Sequence, residues 1–299
     1  MNKSQFFHSL EIPPSELIVS DKGRIYHLDL KPTEIADDII IVGDQERVAQ
    51  VSKHFDKIDH KVAKREFITH TGSYKGKKIS VLSTGIGTDN IDITLNELDA
   101  LVNIDLKTKK IKKEHRSLNI VRIGTSGSLQ EDIPVDSFVV SSHGLGFDGL
   151  LGFYNTHPEQ EELILKKAFL SQVNWPVEAN IPYFTIGNKE LIDHLGKGIH
   201  QGITATANGF YGPQGRSLRL ETKVPELNEQ LNQFSYNNLR ITNFEMETSA
   251  LYGLSAMLGH KACTVCAIIA NRFKKEYSKD YKKTVDQLIE LILDRLIKL

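Results

Sequence analysis

An arginine and a glycine suited to binding an anion follow a short apolar run in IIIVGDQERVAQV, which begins at Ile39. A buried strand that ends at Gly43 and turns directly into a helix presents free backbone N–H groups and the positive end of the helix dipole. Arg47, on the first helical turn, would add a forked and permanently charged donor that suits phosphate. The alternative is that Asp44 only caps the helix and that Arg47 is a solvated helix residue.

Two further stretches carry groups that could do chemistry. RIGTSG places Arg122 at the end of an apolar run, followed by Thr125 and Ser126 in a predicted turn. A buried arginine needs an anionic partner, which is either a bound anion or a structural carboxylate. In NFEMETSALYGL, Glu245 and Glu247 lie at a predicted strand–helix junction. They are either a paired acid and base, or one caps the helix while the other binds hydroxyl groups.

Apolar runs and amphipathic segments alternate along the chain, which is typical of an α/β protein with a mostly buried central sheet. The predicted strands are residues 39–42, 78–83, 119–124, 137–142, 202–206 and 262–270, and helical periodicity appears in residues 91–102, 248–258 and 282–299. Glycine-rich stretches border several predicted strand ends, where open α/β sheets bind ligands. None of these stretches is a complete dinucleotide-binding or P-loop motif.

The pattern predicts one domain over residues 25–299, preceded by an extension, residues 1–24, that is draped on its surface. Residues 107–117 are predicted to be a basic insertion loop, because KTKKIKKEHR carries six basic residues in ten but no aromatic residue to stack on a base. The net charge of −1 and the isoelectric point near 6.8 provide no global field for a polyanion. A nucleic-acid partner is therefore not expected.

No stretch approaches the roughly 20 apolar residues that span a bilayer, and the N-terminus has no apolar signal segment. We therefore expect a cytoplasmic protein that does not associate with membranes. Cys263 and Cys266 have C-x-x-C spacing but lie in a β-branched apolar run, where residues three apart point to opposite faces of a strand. They are expected to be buried and unpaired, and no metal site is predicted.

The stretches GDQERV, STGIG, RIGTSG, FYGPQGR and FEMETSALYG, in this order, resemble the nucleoside phosphorylase superfamily, and most closely its uridine phosphorylase branch. The resemblance runs from about residue 26 to residue 272. It implies a single-domain α/β fold with a distorted, mostly buried central mixed sheet flanked by helices. It also implies a pentosyltransferase that cleaves pyrimidine nucleosides with phosphate, giving uracil and ribose 1-phosphate from uridine.

The resemblance also assigns residues to three subsites of one active site. The phosphate subsite would contain Gly43, Arg47, Arg65, Arg122 and Thr125, the ribose subsite His27, Met246 and Glu247, and the base subsite Phe210, Gln214 and Arg216. Arg122 and Glu247 would be the catalytic residues. Because Arg65 and His27 match residues that a neighbouring subunit contributes, a homo-oligomer with shared sites is expected, either a dimer or a hexamer built as a trimer of dimers.

The residue types suit this reaction. Breaking the bond to C1′ builds positive charge on the sugar and negative charge on the base, so the site needs an anionic nucleophile and donors at the base. Inorganic phosphate is then a co-substrate, and no metal or organic cofactor is expected. Some relatives bind a monovalent cation between subunits. This chain retains Glu66 but has Asn90 where they have serine, so that ion is not predicted.

The base subsite favours a pyrimidine. Gln214 can pair with the adjacent carbonyl and N–H of uracil, and Arg216 can donate to a carbonyl. Purine-specific relatives carry an aspartate late in a strand where this chain has Asn271 and then Arg272. The alternatives are purine phosphorolysis, nucleoside hydrolysis and non-catalytic nucleoside binding. Residues 143–154, HGLGFDGLLGFY, are either a mobile cover over the site or a packed interface loop.

Overall fold

The computed structural model describes residues 11–299, and twelve of the strands in this part of the chain form one mixed sheet. The strands are β1 (Asp38–Val42), β2 (Lys57–Lys64), β3 (Phe67–Tyr74), β4 (Lys77–Ser83), β5 (Ile104–Asp105), β6 (Lys110–Ile111), β7 (Asn119–Ser128), β8 (Phe138–Gly146), β9 (Tyr183–Ile186), β10 (His200–Thr206), β11 (Ser235–Tyr236), β12 (Leu239–Glu245), β13 (Lys261–Asn271) and β14 (Glu276–Tyr277). The main path through the sheet is β11-β12-β10-β8-β13-β7-β1-β4-β3-β2.

The sheet is distorted because part of it closes on itself. Strand β12 pairs with β10 in parallel and also with β7 in antiparallel orientation, through Asn243 opposite Ser128 and Phe244 opposite Gly127. Strands β7, β13, β8, β10 and β12 therefore form a closed ring. Register shifts between Gly202 and Ile203 and between Ile268 and Ala270 supply the local bending that closure needs. The predicted fold class is confirmed.

Helices cover both faces of the sheet. They are α1 (Gln45–Ser52), α2 (Thr88–Asn103), α3 (Gln160–Gln172), α4 (Lys189–Leu195), α5 (Leu227–Gln233), α6 (Thr248–Met257) and α7 (Tyr281–Leu296). Ile39 and Ile41 of β1 belong to the core that contains α2 and α6, whereas Ile40 and Val42 belong to the core that contains α1, α4 and α7. A strand buried on both faces must be apolar at every position, which explains the continuous run in β1. None of the helices in residues 11–299 is long and apolar enough to cross a membrane.

All six predicted strands are present, and two of them continue well beyond their predicted C-terminal ends. Strand β7 continues to Ser128, so the prediction that Thr125 and Ser126 form a turn is wrong. Pairing with the parallel strand β13, where Ala267 lies opposite Thr125 and Ile268 opposite Ser126, keeps this polar segment extended. Strand β8 likewise continues to Gly146. Neighbouring strands thus override the local turn signal.

The hairpin of β2 and β3 was not predicted. Its first strand, KIDHKVAK, alternates exposed and half-buried residues at the edge of the sheet, so it lacks an apolar run. The turn contains Arg65 with a φ of 54°, in the left-handed region that a residue with a side chain enters only at a cost.

Residues 11–24 of the N-terminal extension do not only lie on the surface of the domain. Leu17 is buried in the core beside α2, and Val19 forms a bridge with Ile25. Residues 1–10 lie outside the described residues. The basic segment carries β6, which forms a separate hairpin with β5, and most of its residues are exposed. The Ile12 N–H donates to the Lys109 carbonyl at 2.8 Å, so the extension is attached to this hairpin.

Candidate active site

A cavity of about 1250 Å³ opens where β1, β4, β7, β12 and β13 end. This volume exceeds the roughly 300–1,000 Å³ of most small-molecule pockets, so two small substrates can bind side by side. Of the predicted site residues, those that line the cavity are Gly43, Arg47, Arg122, Thr125, Phe210, Gln214, Arg216, Met246 and Glu247. The predicted residues outside the lining are His27 and Arg65.

The turn from β1 to α1 places a buried cation in this cavity. Asp44 caps α1 by accepting a hydrogen bond from the Glu46 N–H at 2.9 Å. Arg47 is only 9% exposed, so it is not a solvated helix residue. Within residues 11–299 the Arg47 side chain makes no salt bridge, and its one hydrogen bond is a long contact of 3.4 Å to the Ile123 carbonyl. Burial, followed by the charge of Arg122, lowers the pKa of Arg47. An anion in the cavity would supply the missing partner.

Arg122 has carboxylate partners. Its guanidinium donates to Glu247 and lies 3.5 Å from an oxygen of Glu245. Burial lowers the pKa of Arg122, but the two carboxylates raise it by more, so the net pKa lies above its ordinary value. The structure therefore shows the interpretation in which carboxylates pair with Arg122, and because Arg122 also lines the cavity, anion binding by this residue stays a prediction. The carboxylates balance much of the positive charge of Arg122. Arg47, the other of these two buried arginines, has no counter-ion among residues 11–299.

The two glutamates at the end of β12 differ in their environments. Glu245 accepts hydrogen bonds from the Glu247 and Thr248 N–H groups, each at 3.0 Å, and from the Thr206 hydroxyl at 2.7 Å. It therefore caps α6. Burial raises the pKa of Glu245, and the Arg122 guanidinium offsets part of that rise. The interpretation in which one glutamate caps the helix thus describes Glu245.

Glu247 is oriented by two donors. One is Arg122, and the other is the Gly87 N–H, which donates to Oε1 at 2.8 Å. Gly87 precedes α2 with a φ of 102°, so a side chain at this position would be strained. The sequence analysis did not single out Gly87, although its place in STGIG at a strand end was a usable signal.

The base end of the cavity is built around Arg216. Its guanidinium lies 3.8 Å from the centre of the Phe210 ring and donates to the Gln214 side-chain oxygen at 2.5 Å. Gln214 is 3% exposed. Burial, followed by the charge of Arg272, lowers the pKa of Arg216 to about 10, so it remains a cation near neutral pH. At this end of the cavity, Gln214 and Arg216 can therefore offer an amide and a guanidinium to one edge of a planar ligand, and the Phe210 ring lies beside them.

Arg272, which the sequence analysis did not place in a subsite, also lines the cavity. One of its terminal nitrogens, Nη2, donates to the Gln214 carbonyl at 2.8 Å, while Nη1 is buried without a partner among residues 11–299. Its position at the end of β13, in IIANR, was the available signal. The neighbouring Asn271 is fully engaged, since its amide donates to the Gln130 and Ile133 carbonyls and its oxygen accepts from two backbone N–H groups.

His27 and Arg65 do not line the cavity, although Arg65 lies beside Gln45 and Glu66, which do. Arg65 is exposed, and its carbonyl accepts a hydrogen bond from the Gln45 side chain at 2.7 Å. His27 is part-buried beside Glu97. The strained turn at Arg65 is a hint of function, because such strain concentrates at binding sites.

Residues 143–154 are absent from the cavity lining. Gly149, Leu151 and Gly152 instead line a second cavity of about 470 Å³, and the Tyr154 hydroxyl donates to Asp92 on α2. The segment is therefore packed against the domain away from the first cavity, and the interpretation as a cover over that cavity is wrong. Cys263 and Cys266 are buried and unpaired, as predicted.

Asp99, His115 and His260 bring three potential metal-ligand atoms within 4.8 Å of one another. His260 Nδ1 accepts a hydrogen bond from the Leu118 N–H, so the neutral ring carries its proton on Nε2. Nε2 lies 3.3 Å from the Asp99 carboxylate and has no lone pair to offer a metal. The group is a polar contact between α2 and the start of β13.

The α/β fold and the cation-lined cavity at its strand ends define an enzyme that binds an anion together with a second small molecule. Residues 37–298 match the family model described as the phosphorylase superfamily. The chain is 32% identical over 283 residues to the uridine phosphorylase of Thermococcus kodakarensis, covering 93% of this chain and 86% of the relative. It is also 27% identical over 284 residues to a DeoD-type purine nucleoside phosphorylase of Oceanobacillus iheyensis, covering 91% and 99% of the two chains.

Among solved structures, a Trypanosoma brucei nucleoside phosphorylase that shows uridine phosphorylase activity superposes with a TM-score of 0.87. It is 30% identical in sequence, and the match covers 95% of this chain and all of the other. The chain belongs to the phosphorylase superfamily and is a nucleoside phosphorylase, a pentosyltransferase.

Proposed function

We propose that the enzyme cleaves pyrimidine nucleosides with inorganic phosphate and converts uridine to uracil and ribose 1-phosphate in nucleoside salvage and catabolism. The observation that carries the proposal is that one cavity holds both the unpaired cation of Arg47 and the Gln214–Arg216 pair. The first group suits phosphate and the second suits the edge of uracil. Phosphate and the nucleoside would then bind in the same cavity.

In the proposed reaction the C1′–N1 bond breaks and a phosphate oxygen forms the new bond to C1′. The uracil ring leaves with the electron pair of the broken bond, and Arg216 stabilises the negative charge that gathers on a ring carbonyl. Gly43, Arg47, Arg122 and Thr125 hold the phosphate, with Arg65 of a neighbouring subunit. Met246 and Glu247 hold the ribose, with His27 of a neighbouring subunit. Nucleoside and phosphate suffice, and no metal or organic cofactor takes part.

One relative is a uridine phosphorylase and another is a purine nucleoside phosphorylase, so the identity of the base is the main question. Asn271 favours the pyrimidine, because all of its amide hydrogen-bonding groups are used within the protein and an amide cannot protonate a purine ring. The amide of Gln214 can still meet the paired carbonyl and N–H of uracil. A cytoplasmic location stays a prediction from the sequence.

The test is to incubate the purified enzyme with uridine, deoxyuridine, thymidine, inosine and adenosine, each with and without phosphate, and to separate the products. We expect uracil and ribose 1-phosphate from uridine only when phosphate is present. Turnover of none of these nucleosides would contradict the enzyme assignment. Release of free ribose without phosphate would replace the phosphorylase by a hydrolase.

Glu247→Ala should lower kcat/KM for uridine at least about tenfold, because charge-assisted hydrogen bonds to the ribose hydroxyls contribute about 1.5–3 kcal/mol each. Arg122 keeps Glu245 nearby, so the fold should persist. Steady-state kinetics and thermal unfolding measure the two effects. Glu131→Ala removes an exposed carboxylate elsewhere and should change neither. An unchanged kcat/KM in Glu247→Ala would rule out its ribose role.

Shared sites predict complementation between inactive variants in a homo-oligomer. Arg65→Ala damages the subsite of a neighbour, whereas Glu247→Ala damages the variant's own cavity. After subunit exchange, some sites should combine an intact Arg65 with an intact Glu247, so activity should rise above that of either variant alone. Exchange is checked with two differently labelled proteins. No recovery after complete exchange would argue against shared sites.

A further inference from the structure

Glu97 on α2 binds the segment that carries His27. Its carboxylate accepts hydrogen bonds from the His27 N–H at 2.9 Å, from the Leu28 N–H at 2.8 Å and from the His27 ring nitrogen Nδ1 at 2.6 Å. The Glu97 side chain is only 13% exposed. One buried carboxylate therefore fixes both the backbone and the ring of His27, at the beginning of the folded domain.

This contact selects one form of the imidazole. Because a carboxylate is only an acceptor, the Nδ1 of His27 must carry a proton to bond with it. In the neutral ring Nε2 is then an acceptor with a free lone pair. No hydrogen bond within residues 11–299 uses this nitrogen, and it is not buried. The ring thus presents an oriented acceptor that no group among residues 11–299 uses.

The same segment is fixed from its other side by the hairpin that carries Arg65. The Lys64 ammonium donates to the Tyr26 carbonyl and lies 4.5 Å from the centre of the Tyr26 ring. The Phe67 ring meets the His27 ring edge-on, with centroids 6.3 Å apart. His27 and Arg65 are therefore held on adjoining elements, and neither lines the cavity of its own chain.

We propose that Glu97 is a positioning residue for substrate binding between subunits. It holds the proton of His27 on Nδ1, so that Nε2 accepts a hydrogen bond from the 5′-hydroxyl of a nucleoside in the neighbouring subunit's cavity. The proposal rests on the proposed function, in which His27 serves the ribose. A carboxylate behind an imidazole fixes its tautomer and strengthens the lone pair on the opposite nitrogen, as it does behind metal-bound histidines.

The test compares two substrates that differ only in the 5′-hydroxyl, uridine and 5′-deoxyuridine. Glu97→Gln keeps the shape but places an amide NH₂ against one of the three donors. We expect kcat/KM for uridine to fall about tenfold, mainly through KM, since one hydrogen bond is lost or weakened. The value for 5′-deoxyuridine should change less than about twofold. Asp92→Asn, on the same helix, should leave the ratio between the two substrates unchanged.

His27→Ala provides a second variant that does not depend on Glu97. It should lower kcat/KM for uridine selectively, and the Glu97→Gln/His27→Ala double variant should lose no more than His27→Ala alone, because the two residues act as one unit. Equal losses for both substrates in Glu97→Gln, or additive losses in the double variant, would overturn the positioning role. If the wild type converts neither substrate with phosphate, the proposed function itself fails, and this role fails with it.

Discussion

The ratio of kcat/KM for uridine to that for inosine, at saturating phosphate, is expected to be about 10⁴, because a site built to hydrogen-bond one ligand edge rejects a wrong edge by that order. Gln214 is buried and its side-chain oxygen accepts a hydrogen bond from Arg216, so its amide is held in one orientation at the end of the cavity where we propose that the base binds. The edge of a purine would not offer Gln214 and Arg216 the adjacent carbonyl and N–H that uracil offers. It would also find no acid at Asn271.

Two variants distinguish the loss of hydrogen bonds to the edge of the base from a general disturbance of the site. Gln214→Ala should lower uridine turnover without creating inosine turnover, since removing a hydrogen-bonding partner does not supply an acid for a purine. Asn228 lies on α5, and among residues 11–299 its side chain makes one hydrogen bond, a long 3.5 Å contact to the Gly215 carbonyl. Asn228→Ala is therefore the control for disturbance beside the loop that carries Gln214, and it should keep the ratio high. A ratio near one or below in the wild type would overturn the pyrimidine assignment.

Arg47→Met should raise KM for phosphate at least about one hundredfold at saturating uridine, because hydrogen bonds between a guanidinium and an anion contribute about 1.5–3 kcal/mol each. The same change removes a buried cation that has no salt bridge within residues 11–299. The midpoint of thermal unfolding in phosphate-free buffer should therefore not fall. Arg47→Met should thus weaken phosphate binding without lowering the stability of the fold, as expected where a binding site holds an uncompensated charge.

Thermal unfolding in phosphate checks the same residue without catalysis. Phosphate at about 100 times its dissociation constant should stabilise the wild type by about 2.7 kcal/mol, and Arg47→Met should lose this increase. Arg240→Met removes an arginine that is paired with Asp132 at the surface, so it should leave KM for phosphate unchanged. An unchanged phosphate dependence in Arg47→Met would mean that phosphate binds elsewhere.

Features dictated by local sequence were predictable. The run before Gly43 must be apolar throughout because β1 is buried on both faces, and the strand-to-helix turn follows from the Asp44 cap. Arg47, the cation next to that turn, was therefore recognisable from the sequence as a candidate site residue, and it lines the cavity. The six strands were found for the same reason, since each is a run of buried residues.

Features that depend on distant partners were not predictable from one stretch of chain. Thr125 lies in a strand because β13 pairs beside it, although TSGS reads locally as a turn. Glu245 and Glu247 looked equivalent until the Gly87 N–H and the α6 backbone distinguished them. The edge strand β2 lacks an apolar run because only half of its residues are partly covered. Long-range pairing decides such cases, whereas propensity describes only the local preference.

The central claim is that phosphate, and not water, attacks C1′ of the nucleoside in this cavity. To test this, the enzyme is incubated in ordinary water with unlabelled uridine and with phosphate that carries ¹⁸O at every oxygen. The sugar product is then analysed by mass spectrometry. We expect ribose 1-phosphate that carries all the labelled oxygens, including the one joined to C1′, and no product when Arg47→Met is assayed at low phosphate. Free ribose with the labelled phosphate left intact would contradict it.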